Sequence, residues 1–451
     1  MTRDHDVVLT GRFEERDVKH YFHLPFAVPS GVRQLDVRYS YNDQIDSDPL
    51  LSGGNTLDIG IFDERGIAPS SPGYRGWSGS EKLEFTIDAD WATPPYRAGA
   101  IGAGTWHVML GPYKVGPRGC DYHVEIAFNA GRTREERVLL RRGPPRPPRL
   151  AAAEPGWIRG DLHCHTLYSD GDSWPSEMLV AAGDTGLEFL GVTDHNSVAH
   201  HAEYGTGGGA YPVVVPGVEI TTYHGHWNAW GTARWYDFRE PTSAGVSSAV
   251  REALSDGAFV SVCHPKPFGP PWEYTDTRGF PAIEVWNGPW ERLNSTSLAF
   301  WEEHLRRGER IVALGGSDTH YLRSPHHAKL GQPTTWVNVG ASTSHEPLRG
   351  FDAEAVLAAL RRGHVFVSAS PAGPQLYLSP DPRGALVRAR GASGTTLALV
   401  SDAGSVRAEA IDSDDYDRRF DLPRRLKYVR AQILDATGSI LALTNPLWRG
   451  D

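Results

Sequence analysis

Five short apolar runs in the middle of this chain each lead into His, Asp or Glu. That coincidence limits the fold more than any other property of the sequence. The stretch from Trp157 ends at Leu162 and runs into His163-Cys164-His165-Thr166, and Phe189-Leu190-Gly191-Val192-Thr193 leads into Asp194-His195-Asn196. Val213 to Val218 leads into Glu219, Phe259 to Cys263 into His264-Pro265-Lys266, and Ile311 to Gly316 into Ser317-Asp318-Thr319-His320. Runs of this length bounded by turn residues read as buried strands. Alternating with them are amphipathic segments of helical length: Ser176 to Thr185, Ser247 to Ser255, Thr296 to Arg307 and Ala353 to Arg362. Strands alternating with helices predict βαβ units and a parallel sheet. In a barrel of such units the strand ends converge on one face, where polar residues at those ends meet.

On a strand, residues two apart point to the same side. His163 and His165 therefore aim together, and Asp170, in Ser169-Asp170-Gly171, follows on the loop beyond. Imidazole and carboxylate ligands together suit zinc, manganese or iron(II). Taken alone, the His-x-His pair is as well explained by ordinary strand residues. Four more strands ending the same way are not, because so many titratable groups in one pocket without a metal would be unpaired or repelling, at a cost of several kcal/mol, on the order of 2–5. Cys164 and Cys263 stand beside candidate ligands, but the alternation turns their side chains away, so they read as small buried fillers.

Arg141-Arg142-Gly143-Pro144-Pro145-Arg146-Pro147-Pro148-Arg149 is an extended, semi-rigid linker by composition. Before it, period-two segments such as Leu57 to Phe62, Trp106 to Leu110 and His123 to Phe128 predict an antiparallel β-sandwich over residues 1–140. The linker spans 141–156, the βαβ region 157–370, and short strands return in a small β appendage over 371–451. The sandwich has no ligand cluster; shading the mouth of a site, mediating a dimer and bracing the barrel are its open roles.

The 451 residues carry a formal net charge of −10, which argues against a nucleic-acid partner held by counterion release. No apolar run is long enough for a membrane span, and no hydrophobic segment follows the start, so no secretory signal is visible. Three cysteines, Cys120, Cys164 and Cys263, do not make a disulfide framework, and a reducing cytoplasm is the expectation. Gly207-Gly208-Gly209 lacks the Lys and helix of a phosphate loop and reads as a flexible turn.

Asp161-Leu162-His163-Cys164-His165-Thr166, Ser169-Asp170-Gly171, Thr193-Asp194-His195-Asn196, Pro216-Gly217-Val218-Glu219, Cys263-His264-Pro265 and Gly316-Ser317-Asp318-Thr319-His320 together resemble the ordered motifs of the PHP (polymerase and histidinol phosphatase) metallohydrolase family. Glu219-Ile220-Thr221-Thr222, Gly225-His226-Trp227-Asn228 and Gly231 most resemble its CehA/McbA-type branch. The resemblance implies an α/β fold, a distorted (β/α)7 TIM-like barrel, with two or three divalent ions (manganese, zinc or iron) at one face. It implies that His163, His165, Glu219 and Asp318 hold one ion and that Glu219 bridges to a second, held also by His264 and His226. A third takes Asp170, His195 and His320, with Asp170 standing where other members use histidine. His224, two residues from His226, competes for the same place; the branch pattern favours His226.

The reaction so implied is hydrolysis by a hydroxide held at the metals by Glu219, Asp318 and His264. Phosphoester cleavage of a small, phosphorylated molecule is the leading expectation, and carbamate, ester or amide cleavage the runner-up. A binding protein with a relic barrel is a further alternative, disfavoured because no ligand position is lost. Lys266 reaches a phosphate or is a solvated loop lysine, Asn228 and Arg234 are further substrate contacts by position, and Lys266, Arg234 and Arg323 supply the positive charge near the motifs. Asp194 orients a ligand histidine rather than binding metal. Trp286-Asn287 walls the pocket or packs. Trp227, Trp230, Trp235 and Tyr236 read as core and rim, and His326 and His327 as surface residues.

Overall fold

The computed structural model describes residues 5–134, 144–204, 212–267, 269–275, 278–324, 327–340 and 351–450. Arg141 to Gly143 of the expected linker, Gly207-Gly208-Gly209 and His326 lie outside them. Eight strands come first: β1 (Val7–Phe13), β2 (Phe22–Val28), β3 (Gln34–Tyr41), β4 (Thr56–Phe62), β5 (Tyr74–Gly79), β6 (Glu84–Asp88), β7 (Gly104–Lys114) and β8 (Cys120–Phe128). They form two antiparallel sheets, in the orders β1-β8-β3-β6 and β2-β7-β4-β5. Alternate residues turn inward, and Leu35, Val37, Ile59, Ile61, Val108, Leu110, Val124 and Ile126 fill the space between the sheets, as a two-sheet sandwich requires.

The middle of the chain supplies β9 (Trp157–Asp161), α1 (Pro175–Asp184), β10 (Phe189–Val192), β11 (Val213–Thr222), β12 (Gly225–Trp230), α2 (Ser243–Ser255), β13 (Phe259–Val262), β14 (Ala282–Asn287), α3 (Asn294–Arg306), β15 (Val312–Gly316), β16 (Thr334–Asn338), α4 (Ala353–Arg361) and β17 (Val365–Ser368). Strands β9, β10 and β11 are parallel, as are β13, β14 and β15. The expected parallel sheet is interrupted between them, because β12 runs antiparallel to both β11 and β13. The cause is local. Gly225 takes φ 129°, a conformation open to glycine, and the chain folds straight back instead of crossing over a helix.

Beyond the last residues of β9 and β15 the two ends of this seven-strand run meet. Asp318 N donates to His163 O at 2.8 Å and His165 N to Thr319 O at 2.9 Å. At the other end β16 pairs antiparallel with β9 and holds β15 through Thr335 Oγ1, which accepts from Gly315 N (2.9 Å) and donates to Gly315 O (2.6 Å). The architecture is therefore mixed α/β, a curled sheet with few helices rather than a regular alternation.

The tail holds β18 (Gln375–Asp381), β19 (Gly384–Arg390), β20 (Thr395–Ser401), β21 (Gly404–Ile411), β22 (Asp415–Asp421), β23 (Tyr428–Leu434), β24 (Ile440–Thr444) and β25 (Leu447–Trp448). It is less separate than the sequence suggested. β24 pairs with β17, so β24-β23-β20-β21 extend the central sheet, and only β18-β19-β22 form a sheet of their own. The sandwich is joined as closely. Phe62, Tyr74, Trp77 and Met109 belong to the same buried cluster as Trp227, Trp235, Tyr236 and Phe238, with the Tyr74 and Trp235 rings 4.5 Å apart. No helix among the described residues is long and apolar enough to cross a membrane.

Candidate metal centre

Two buried aspartates shape the loops that carry the ligands. Asp161 Oδ1 accepts from His163 N (3.1 Å) and Ser317 N (3.0 Å), and its Oδ2 from Gly331 N (2.7 Å). Asp194 accepts from Thr166 N, Thr166 Oγ1 and Ser169 Oγ, each at 2.7 Å. Ser169 Oγ stands 3.4 Å from His165 Nδ1, so Asp194 bears on a candidate ligand, His165, through an intermediary. The backbone is left-handed at Asn196 (φ 51°), His264 (φ 26°) and Asp318 (φ 54°), a conformation that costs a non-glycine residue about 1–3 kcal/mol. Packing around the strand ends holds it there.

These loops bring all nine expected ligands into one cluster. His163 Nε2 lies 3.4 Å from both Glu219 Oε2 and Asp318 Oδ1, and His165 Nε2 lies 3.4 and 3.1 Å from the same two atoms. The other Glu219 oxygen, Oε1, faces His226 Nδ1 at 3.0 Å and His264 Nε2 at 3.3 Å. Asp170 Oδ1 faces His320 Nε2 at 3.3 Å and His195 Nε2 at 3.6 Å, and His195 Nδ1 is 2.8 Å from Glu219 Oε2. His165 also falls within the grouping of Asp170, His195 and His320. His224 goes elsewhere, with Nδ1 2.6 Å from Glu273 Oε2, so geometry places His226 in the cluster.

The electrostatics of the cluster call for positive charge. Burial works against every charge here, yet in most of the cluster the charged neighbours outweigh it. Against burial, His163, His195 and His226 hold Glu219, and His163, His165 and His320 hold Asp318, well below the usual carboxylate range. Against burial, Glu284, Asp318 and Glu219 hold His163 well above the ordinary imidazole value, and Asp170 lifts His320 to about 10. His165 goes the other way, to about 4, through burial and then His320 and His195.

Several atoms of the cluster have no hydrogen-bond partner although buried: His163 Nε2, His165 Nε2, Asp170 Oδ1, Glu219 Oε2 and His264 Nδ1. Orphaned buried polar atoms are rare and costly. Four donors at 2.0–2.1 Å around one ion stand about 3.3 Å apart. The 3.1–3.4 Å separations about Glu219 Oε2 and Asp318 Oδ1 match that spacing, and the imidazole and carboxylate donors suit zinc, manganese or iron. The residues present fit divalent ions.

Two participants escaped the sequence reading. Glu284, in the middle of β14, places Oε1 2.9 Å from His163 Nδ1, and its Oε2 accepts from His264 N (3.1 Å) and Asn287 Nδ2 (3.2 Å). A carboxylate inside Ile283-Glu284-Val285-Trp286 was the available signal. Cys263 does not point away as alternation required: its Sγ groups with His163 and Glu284, because the chain leaves the strand at Val262. Cys164 does point away, toward Gly191 O at 3.6 Å.

The expected substrate contacts fare differently. Asn228 Nδ2 is 3.2 Å from His163 Nδ1, beside a ligand. Lys266 is 2 % exposed and is neither a solvated lysine nor a reaching one: its Nζ donates to Asn287 O (2.7 Å) and Asn294 Oδ1 (3.1 Å). Burial pulls it down to about 8, against the pull of Glu284 and Asp318. Arg234 is outside the cluster, committed to Glu252 (2.6 Å) and Asp256 (2.8 Å) on the flank of α2. Arg323 faces Glu177 at 3.4 Å. Asn287 Nδ2 also reaches Asp318 Oδ2 at 3.2 Å, while Trp286 is core. Trp227, Trp230, Trp235 and Tyr236 are buried. The His327 ring lies against Tyr321.

A cleft of about 300 Å³ opens onto the cluster. Asp170, His195 and His226 form its base, and the sandwich residues Asp46, Asp48, Trp77, Glu81 and Tyr113 form its outer wall. Its position thus fits the first of the sandwich's open roles, and the core it shares with the sheet fits the last.

No protein-family model and no curated protein matches this chain. Among solved structures it is similar to a two-domain protein containing a predicted PHP-like metal-dependent phosphoesterase from Bacteroides vulgatus. The identity is 18%, over 69% of this chain and 100% of that one, with a TM-score of 0.37. It is also similar to an amidohydrolase from Chromobacterium violaceum with bound sulfate and no metal, at 17% identity over 38% of this chain and 89% of that one, with a TM-score of 0.23. At such TM-scores neither likeness carries weight for the fold or activity of this chain.

Proposed function

We propose that this chain is a metal-dependent hydrolase of small molecules, built on a distorted PHP-type barrel of the CehA/McbA kind and most at home on phosphoesters. The observation that carries the reading is the cluster itself: six histidines and three carboxylates whose nitrogen and oxygen atoms face one another, several of them buried without a hydrogen-bond partner. His163, His165, Glu219 and Asp318 would hold one ion. Glu219, through its other oxygen, would hold a second with His226 and His264, and Asp170, His195 and His320 a third. When bound, the ions supply Lewis acidity, lowering the pKa of water toward neutrality and drawing charge from a phosphoryl or carbonyl oxygen. The rest is the work of the chain. Glu284 fixes the ring of His163 by accepting from its Nδ1, Asp194 acts on His165 through Ser169, and Asp161 ties the two loops together. The thiols are poor nucleophiles, since burial pushes Cys164 and Cys263 well up.

Carbamate, ester or amide hydrolysis is the second reading. In its favour, no Lys or Arg is among the described residues lining the cleft, and Arg234 and Lys266 are engaged elsewhere; Lys82, with its Nζ 3.4 Å from the main-chain oxygen of Ser169, stands at its edge. The acidic balance of the chain supports a small-molecule substrate over nucleic acid, in a cytoplasmic setting.

Elemental analysis of the purified protein beside turnover of bis(p-nitrophenyl) phosphate, p-nitrophenyl phosphate and an aryl N-methylcarbamate tests both. We expect two to three ions per chain, phosphoester turnover, and its loss in His264→Ala. Turnover of the carbamate alone would promote the second reading. A chain that takes up no manganese, zinc or iron would end both.

A further inference from the structure

Lys266 turns a buried ammonium on two asparagines, and a buried ammonium persists only where its donors are met. Its Nζ donates to Asn287 O (2.7 Å) and Asn294 Oδ1 (3.1 Å). Asn294, the fully buried first residue of α3, repeats the grip. Its Oδ1 also accepts from Asn287 N (2.8 Å), and its Nδ2 donates to Asn287 O (3.0 Å) and Pro289 O (2.8 Å). Both main-chain groups of Asn287 are thus held by side chains at the place where β14 ends. What this anchor presents is an amide between two carboxylates. Asn287 Nδ2 lies 3.2 Å from Glu284 Oε2 and 3.2 Å from Asp318 Oδ2. Ionised carboxylates only accept, so the amide must offer its nitrogen to both. The two oxygens of Asp318 therefore face different partners: Oδ1 faces His163 Nε2 (3.4 Å) and His165 Nε2 (3.1 Å), and Oδ2 faces Asn287. Glu219 differs, since both of its oxygens face histidines of the cluster.

On the hydrolase reading above, we infer that Asn287 is a positioning residue that reserves Asp318 Oδ2 and so limits this carboxylate to one oxygen at the first ion, with Lys266 and Asn294 as its anchor. A carboxylate ligates through one oxygen or through both. A catalytic site keeps one coordination position for water or substrate, and a second oxygen from Asp318 would fill it. The amide thus protects reactivity rather than metal retention, the reverse of what Glu284 does for His163. These three residues make and break no bond; they act through the aim of Asp318.

Asn287→Ala removes the amide and frees Asp318 to ligate through both oxygens, while Glu284 Oε2 keeps the main-chain donor of His264. The expected result is a split. With bis(p-nitrophenyl) phosphate, kcat should fall about 10–100-fold, with KM and the number of ions per chain unchanged. Cobalt(II) affinity, read by chelator competition, should stay or rise. The visible absorption of the cobalt-loaded protein should weaken per ion, as it does when a coordination position is filled. Lys266→Met loosens the anchor but leaves the amide, and should move kcat and the cobalt spectrum the same way by less. A merely structural role for Asn287 predicts that ions and kcat are lost together. That outcome, or an unchanged kcat, overturns the inference while leaving the hydrolase reading intact. If the unaltered protein takes up cobalt and turns over no ester, the hydrolase reading fails and the cobalt spectra decide: weaker absorption in the variants supports the inference, and equal absorption overturns it. Should Asn287→Ala not fold, Lys266→Met decides by the same measurements. A protein that takes up no cobalt overturns both.

Discussion

Glu284 occupies an apolar strand at 3 % exposure, where a carboxylate survives only if its oxygens are met. They are met by His163, by the main chain of His264 and by Asn287. One carboxylate thus fixes one candidate ligand by its ring and another by its backbone, the arrangement that sets the tautomer and aim of a metal-binding histidine. Glu284→Gln keeps the volume and removes the charge. The expected outcome is a loss of metal affinity of about 10–100-fold, read by chelator competition, with the far-ultraviolet dichroism unchanged. The sequence made the ligands legible and hid their supports. His163, His165, Glu219, His264 and Asp318 announce themselves by following apolar runs. Glu284 is wrapped in one, and the period-two rule that placed His163 and His165 together, where the chain stays bridged to Thr319 past the end of β9, failed for Cys263, where it leaves β13 for the left-handed turn at His264. Arg234 misled for the opposite reason: nearness along the chain to β12 says nothing of which side of a turn a long side chain takes.

At the scale of elements, the meeting of β9 and β15 sets the centre. Gly316, the last residue of β15, leaves no room for a side chain, since a Cβ there would stand 2.4 Å from His163 Cβ and 2.5 Å from Glu284 Oε1. Gly316→Ala should therefore push His163 off its aim. We expect a loss of about 1–3 kcal/mol of stability, typical of overpacking, and lower metal content per chain, measured by calorimetric melting and elemental analysis of one preparation. Element types and approximate limits were readable from apolar periodicity, as α1, α2, α3 and α4 illustrate. Direction was not. β12 runs backward because of one glycine turn, and β24 joins β17 by a pairing between segments about seventy residues apart, for which no local pattern exists.

At the scale of the whole molecule, the sandwich and the curled sheet share a core, and Asp58 of β4 lies at their seam. It is buried, and Tyr223 Oη donates to its Oδ2 at 2.7 Å. Burial raises its carboxyl to about 7, against the pull of that hydrogen bond. A carboxyl raised on folding binds its proton more tightly in the native state, so its contribution to stability is full below about pH 4 and is lost as pH rises through 7. Melting temperature should accordingly fall between pH 5 and 8, and Asp58→Asn, neutral throughout, should flatten that slope. Were the slope unaltered in the variant, the pH response would have to come from other groups.

The seam has a kinetic consequence. The Tyr74 ring packs at a tilt against that of Trp235, and its hydroxyl donates to Asn196 O at 2.9 Å, one residue from His195. A wall joined to its floor by buried rings has no hinge, and parting the two modules would mean unfolding both. Traffic through the cleft then depends on the segment between β3 and β4, which carries Asp46 and Asp48 and leaves Leu50 88 % exposed. On the hydrolase reading, a molecule would enter and leave past this loop, not through the opening of a jaw.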